Sequence, residues 1–153
     1  MKPNLMFQYC QKIVVFSSDL KKVLLARRKG EADYDGVYSL IGGKMETTDK
    51  SIISGIKREK DEEIGVNTKV NILPNETYNV LFRKNDGNSM ILPHIPAIFV
   101  KGEIIINDEY SDYQWVEINK LDGFEPKIDT IPKAVDWAVK KIRSASPEEF
   151  VEI

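Results

Sequence analysis

Residues 58–66 read Arg58-Glu59-Lys60-Asp61-Glu62-Glu63-Ile64-Gly65-Val66, and a glycine pair, Gly42-Gly43, stands upstream. Four carboxylates, Glu59, Asp61, Glu62 and Glu63, fall within five consecutive positions. Like charges this close repel unless water or cations screen them. A multivalent cation held by oxygen ligands turns that cost into a binding site. The stretch closes a predicted helix over 49–64. Ile52, Ile53 and Ile56 mark its apolar face, and Gly65 suits the position just past its C-terminus. Asp49 or Thr48 can cap its start. Gly55 inside it costs about 1 kcal/mol relative to alanine, a sign of close packing or of a well-supported helix.

On a helix, Glu59 converges with Glu62 and Glu63, three and four positions on. Asp61 lies about 200° around from Glu59 and faces away. Three clustered carboxylates suit Mg²⁺ or Mn²⁺ better than Ca²⁺, and the spacing is not that of an EF-hand. Gly43, at a strand end, can add a backbone carbonyl to a metal shell. Arg27 and Arg28 end the preceding strand and can reach phosphate oxygens. Adjacent on a strand, they point to opposite faces, so at most one reaches the site. The competing reading of an acidic helix stretch is a solvated face, and that of either arginine a surface ion pair. Together the parts predict metal-assisted hydrolysis of a phosphate ester or anhydride.

Outward from this segment, the run Ile13-Val14-Val15-Phe16 predicts a buried strand over 11–18, and 22–28 its hairpin return across Ser17-Ser18-Asp19. Residues 29–36 read as a loop, and 37–41 as a short strand running into Gly42-Gly43. Two long strands, 70–83 and 89–103, flank the turn Asn85-Asp86-Gly87-Asn88. Pro93 and Pro96 place the second of these at an edge or a bulge. A short strand over 112–118 and a helix over 130–143 follow. Residues 144–153 read as a loose tail. The predicted order β-β-β-α-β-β-β-α, with hairpins, is an α+β class with a mixed sheet.

The chain has 153 residues, 42% hydrophobic and 30% charged, which suits one soluble domain over 1–153. The net charge of −2 gives no support for a nucleic-acid surface. The single cysteine, Cys10, excludes a disulfide within the chain and reads as a small core residue. No apolar run approaches the ~20 residues of a membrane span, and the N-terminus lacks a signal-peptide pattern. The expected location is the cytoplasm. His94, the only histidine, reads as structural before catalytic, and Tyr38 and Trp115 as core or pocket-wall aromatics.

The series Gly43, Arg58-Glu59, Glu62-Glu63, Gly65-Val66 resembles the Nudix box, G-x5-E-x7-R-E-U-x-E-E-x-G-U, where U is a bulky aliphatic. The preceding hairpin, Arg27 and Arg28, the strand into Gly-Gly and the late strand with Trp115 are similar to Nudix domains too, over roughly residues 8–143. Three departures stand out. One extra residue separates Gly43 from Arg58, which puts Lys50 at the position of the box glutamate, with Asp49 beside it as a stand-in. Lys60 replaces the aliphatic, its stem expected to cover apolar surface while its amine reaches water. Ile41 stands where proline is common.

The resemblance implies a Nudix-like α/β/α sandwich with a mixed central sheet. It also implies Mg²⁺-dependent cleavage of a nucleoside triphosphate or another nucleoside diphosphate derivative. Glu59 and Glu63 then ligate Mg²⁺ (Mn²⁺ as substitute), Glu62 is a further ligand or the base, and Gly43 gives its carbonyl. Arg58 orients the glutamates. Glu109, six before Trp115, is the preferred late-loop base, with Asp108 and Asp112 competing. Arg28 is favoured over Arg27 as the phosphate contact. The implied partner is a nucleotide-type small molecule, with neither nucleic acid nor membrane, and the resemblance allows a homodimer. The alternative is a non-catalytic Nudix-fold module that binds a nucleotide or a protein.

Overall fold

A computed structural model describes residues 6–153. Its spine is β1 (Phe7–Phe16), whose last four residues are fully buried. Alternation along the strand divides them. Ile13 and Val15 enter one core cluster with Ile56 and Ile64, and Val14 and Phe16 enter a second with Val135 and Ala138. The sheet is therefore covered on both faces, which is why the run is apolar at every position and not at every second one. One cover is α1 (Ile52–Ile64) and the other α2 (Ile131–Ser144). The architecture is an α/β/α sandwich with a mixed sheet.

Beside β1 lies β2 (Lys22–Arg28), which pairs with β3 (Tyr38–Ser39) and with β8 (Tyr110–Glu117). The expected strand over 37–41 divides. After β3 the chain leaves β2 and, as β4 (Ile41–Lys44), pairs antiparallel with β1. The glycine pair therefore sits inside a strand and not beyond one. At Gly42 φ is +130°, and a Cβ there would collide with the Gln11 carbonyl oxygen, so only glycine permits this pairing.

The other neighbour of β1 is β7 (Ser89–Lys101), parallel to it. The single strand expected over 70–83 is two strands, β5 (Lys69–Ile72) and β6 (Tyr78–Arg83), which pair with opposite halves of β7. Hence β7 is central and not at the edge, one of the two positions expected from its prolines; it does carry a bulge, at Val100, away from both prolines. Each proline falls where one ladder is interrupted. Pro93 lies between Ile91 and His94, where the β1 register skips, and Pro96 between the end of the β6 ladder and the start of β5.

Helix α1 is capped by Ser51, in a reciprocal box with Ser54, and not by Asp49 or Thr48. Ile52, expected on the apolar face, is 51% exposed in the first turn. Lys60 also departs from expectation, since its amine does not reach water. The side chain is fully buried, and Nζ donates to the Thr68 carbonyl at 2.6 Å and pairs with Asp61. The turn after Gly65 supplies the acceptor and Asp61 the countercharge, so the amine can stay inside. Residues 144–153 are not loose. A 3₁₀ turn (Pro147–Glu149) leads into β9 (Val151–Glu152) on β5, and Ile153 exchanges two backbone hydrogen bonds with Val70. Its side chain is buried in the α1-side core, so apolar burial outweighs the polar character of the segment. Among the described residues no helix is long and apolar enough to cross a membrane.

Candidate active site

A cleft of about 540 Å³ opens where α1 packs against β4. Gly43, Glu59, Glu62 and Glu63 line one side of it. Lys12 rises from β1, Arg28 from the end of β2, Glu109 from the turn before β8 and Tyr110 from its first position. Helical spacing brings the three glutamates to one side, as their positions predict, while Asp61 turns away to bind Lys57 at 2.6 Å. Glu59 and Glu63 are buried and Glu62 is half exposed.

Arg58 holds the cluster from behind. Its Nε and Nη2 donate to Asp49 Oδ1 and Oδ2 at 2.8 and 2.9 Å. Nη2 also donates to the Lys44 carbonyl at 3.1 Å, and Nη1 to Glu59 Oε1 at 3.0 Å. Glu62 lies 3.3 Å from Nη1. The Arg58 hydrogen bonds lower the Asp49 pKa to about 2. Asp49, and not Lys50 at the box-glutamate position, is thus the side chain that Arg58 holds. Close packing at Gly55 has a visible cause, since a Cβ there would stand 3.1 Å from Asp49 Oδ2.

Glu63 Oε2 accepts from the Gly42 N–H at 2.6 Å and from the Tyr110 hydroxyl at 3.0 Å. Burial pushes its pKa up to about 8, against the pull of Lys12 and the Gly42 amide. Burial also raises the Glu59 pKa, opposed by Arg58. A Cβ on Gly43 would collide with the Glu59 carboxylate, so backbone and carboxylate share one cradle.

The two arginines part company. Between Arg27 and Arg28 the β2–β8 register shifts, so that Tyr110 faces Arg28 and Asp112 faces Arg27, with Ser111 as the extra residue. Arg28 lines the cleft and pairs with Glu31 at 3.0 Å, and its buried Nε has no partner among the described residues. Arg27 lies outside the lining and donates to the Gly36 carbonyl at 3.0 Å. Glu109 lines the cleft, held by Asn107 Nδ2 at 2.9 Å, whereas Asp108 and Asp112 do not line it. Asp112 accepts from the Tyr38 hydroxyl. Tyr38 and Trp115 pack into the cores, Trp115 edge-on to Phe99. His94 is buried, with Nδ1 2.9 Å from both the Tyr78 and Leu92 carbonyls. That arrangement assigns the proton to Nδ1 and the residue to the frame.

Lys12 and Tyr110 were not expected at the site. Lys12 had a signal, a lone cation entering an apolar strand. Tyr110 had none, because only the bulged pairing of β8 with β2 brings it to Glu63.

Hard oxygen donors on one wall fit a divalent cation of the Mg²⁺ kind, and the shared cradle of Gly43 and Glu59 fits it too. Among the described residues no three His, Cys, Asp or Glu side chains are grouped so as to hold a metal ion. Glu59 and Glu63 are engaged with protein donors, so ligation needs their carboxylates to turn.

The family model for the NUDIX domain matches residues 6–137. No curated protein matches the chain. Among solved structures, it is similar to the MutT protein from Methanosarcina mazei Go1, at 20% identity and a TM-score of 0.73, over 94% of this chain and 100% of that one. It is also similar to the NUDIX domain of Shewanella oneidensis NrtR, a structure in complex with ADP ribose (21% identity, TM-score 0.68, 93% and 90% covered). A third is a C. elegans Ap4A hydrolase (10% identity, TM-score 0.71, 90% and 99% covered). At such identities the likeness is one of fold. With its domain model matched across most of its length, the chain belongs to the NUDIX domain family.

Proposed function

We propose that the protein hydrolyses the pyrophosphate bond of a nucleoside triphosphate or another nucleoside diphosphate derivative. Glu59, Glu62, Glu63 and the Gly43 carbonyl would hold Mg²⁺, with Mn²⁺ as substitute. A divalent cation bound there supplies Lewis-acid polarisation of phosphate oxygens and a more acidic water. Carrying this reading is one observation: buried carboxylates and the cations Lys12 and Arg28 face a single cleft. Arg28, its Nε free, binds phosphate oxygens and leaves Glu31 to do so. Arg58 orients Glu59 and Glu62 from behind and does not touch substrate. Glu109, steadied by Asn107, accepts the proton of the attacking water, and Glu62 is its rival.

The test is a panel of nucleoside di- and triphosphates, nucleotide sugars, dinucleoside polyphosphates and dinucleotide cofactors with Mg²⁺, followed by product identity. Glu62→Gln and Glu63→Gln should abolish turnover and leave the fold intact. Undiminished turnover by either variant overturns the assignment. A second reading, a non-catalytic nucleotide- or protein-binding module, rests on the two departures from the box, the extra loop residue and Lys60, whose amine is buried against the Thr68 carbonyl. Nucleotide binding without product at any Mg²⁺ concentration would establish it. We also take 1–153 as one domain, whose residues 1–5 lie outside those described. The unpaired Cys10 supports a reducing cytoplasm, and sedimentation would test a homodimer.

A further inference from the structure

The end of the cleft away from the glutamates has a different chemistry. Its floor is Met90 and Leu92 on β7, and Val80 on β6 adds an apolar wall. Two aromatic rings cross it, Tyr34 from the loop between β2 and β3 and Phe82 from β6, with centroids 5.7 Å apart and planes tilted by 37°. These residues come from opposite sides of the two floor strands, β1 and β7, so the pair spans the cleft. Tyr34 holds a left-handed backbone, φ +59°, unfavourable for a bulky side chain. The loop keeps it there through the Val37 N–H to Tyr34 carbonyl bond at 3.1 Å and the Gly30 N–H to Asp35 carboxylate bond at 2.8 Å. Tyr34 is nonetheless 41% exposed, so burial of its ring does not account for the strain.

We propose that Tyr34 and Phe82 are the specificity-determining residues of the cleft, and that they select substrates with a flat aromatic base by stacking on it. This rests on the reading of the cleft as a nucleotide pyrophosphate site. A ring held between two others needs about 7 Å between the outer planes, twice the usual carbon contact distance. At 5.7 Å the pair is too close for that. Tyr34, on a loop, swings away from Phe82 far enough to admit the base between the two rings, and Phe82, on a strand, stays. The base then lies over Met90 and Leu92 with its phosphates towards Arg28. Stacking tolerates every base, because each has a π-face, so the pair selects for a base without choosing which one.

The experiment uses Tyr34→Trp as a reporter, with adenosine and guanosine triphosphates and inorganic tripolyphosphate as probes. Both nucleotides should quench the indole and tripolyphosphate should not. Phe82→Leu should weaken nucleotide binding about tenfold, with Phe82→Tyr restoring it and tripolyphosphate affinity unchanged throughout. Ring-dependent binding without product would sink the hydrolase reading and keep this one. Overturning it would take equal quenching by tripolyphosphate, or a Phe82→Leu variant that binds nucleotides as tightly as Phe82→Tyr, even with hydrolysis intact.

Discussion

Arg58 grips Asp49 through two parallel hydrogen bonds, Nε to Oδ1 at 2.8 Å and Nη2 to Oδ2 at 2.9 Å. The pair ties the loop before α1 to the helix turn that carries Glu59 and Glu62. It also explains how the chain accommodates one residue more than the box pattern: the neighbouring, shorter acid reaches the guanidinium.

Removing that anchor frees the guanidinium and the two glutamates it steadies. We expect Asp49→Ala to lower kcat/KM by about 10–100-fold, the usual cost of losing a residue behind metal ligands. Asp49→Glu should recover part of the loss. A Mg²⁺ titration of each variant checks this, with the half-saturating concentration rising in Asp49→Ala.

The two glycines should fail differently. Gly43→Ala drives a methyl into the Glu59 carboxylate, the far end of a flexible side chain that can move away. Its fold should survive and its turnover should not. Gly42→Ala meets Gln11 backbone at a positive φ, so the β1–β4 pairing must give. Thermal melts beside activity assays separate the two outcomes.

His94 makes stability depend on pH. Burial lowers its pKa below the ordinary 6.5, so the fold prefers the neutral ring. Below 6.5 the unfolded chain takes up a proton that the folded one resists. Stability present above that value is lost as pH falls towards the folded pKa. Asn can donate from a similar position but does not titrate, so Tm of His94→Asn should fall less steeply than that of the parent below about pH 6.5.

Ile153 should matter despite its place at the end of the sequence. Its side chain is buried among Val70, Ile72 and their neighbours. Truncation to alanine should cost about 2 kcal/mol, the low end for a buried isoleucine, because the two-residue edge strand β9 can relax around the gap. Urea denaturation measures this, and an unchanged midpoint would show that the tail does not hold the core.

By itself the sequence determined what repeats within one element. Helical spacing selected Glu59, Glu62 and Glu63 and turned Asp61 away, and α2 was legible from its buried face, Ile131, Ala134, Val135, Ala138 and Ile142. The unbroken run from Ile13 to Phe16 marked a buried strand. Those signals are local, because side-chain direction follows from backbone period alone. Only the tertiary structure decided what depends on which strand lies beside which. The extra residue on β8, opposite Arg27 and Arg28, brought Tyr110 beside Arg28 and to Glu63. The change of partners along β7 made a strand with two prolines central. The pairing of Tyr34 with Phe82 joins segments far apart in sequence, and so does the docking of Ile153, which its apolar burial drives. The carboxylate cluster was readable because it lies on one helix, and the walls of its cleft were not because they come from six strands and the loops between them.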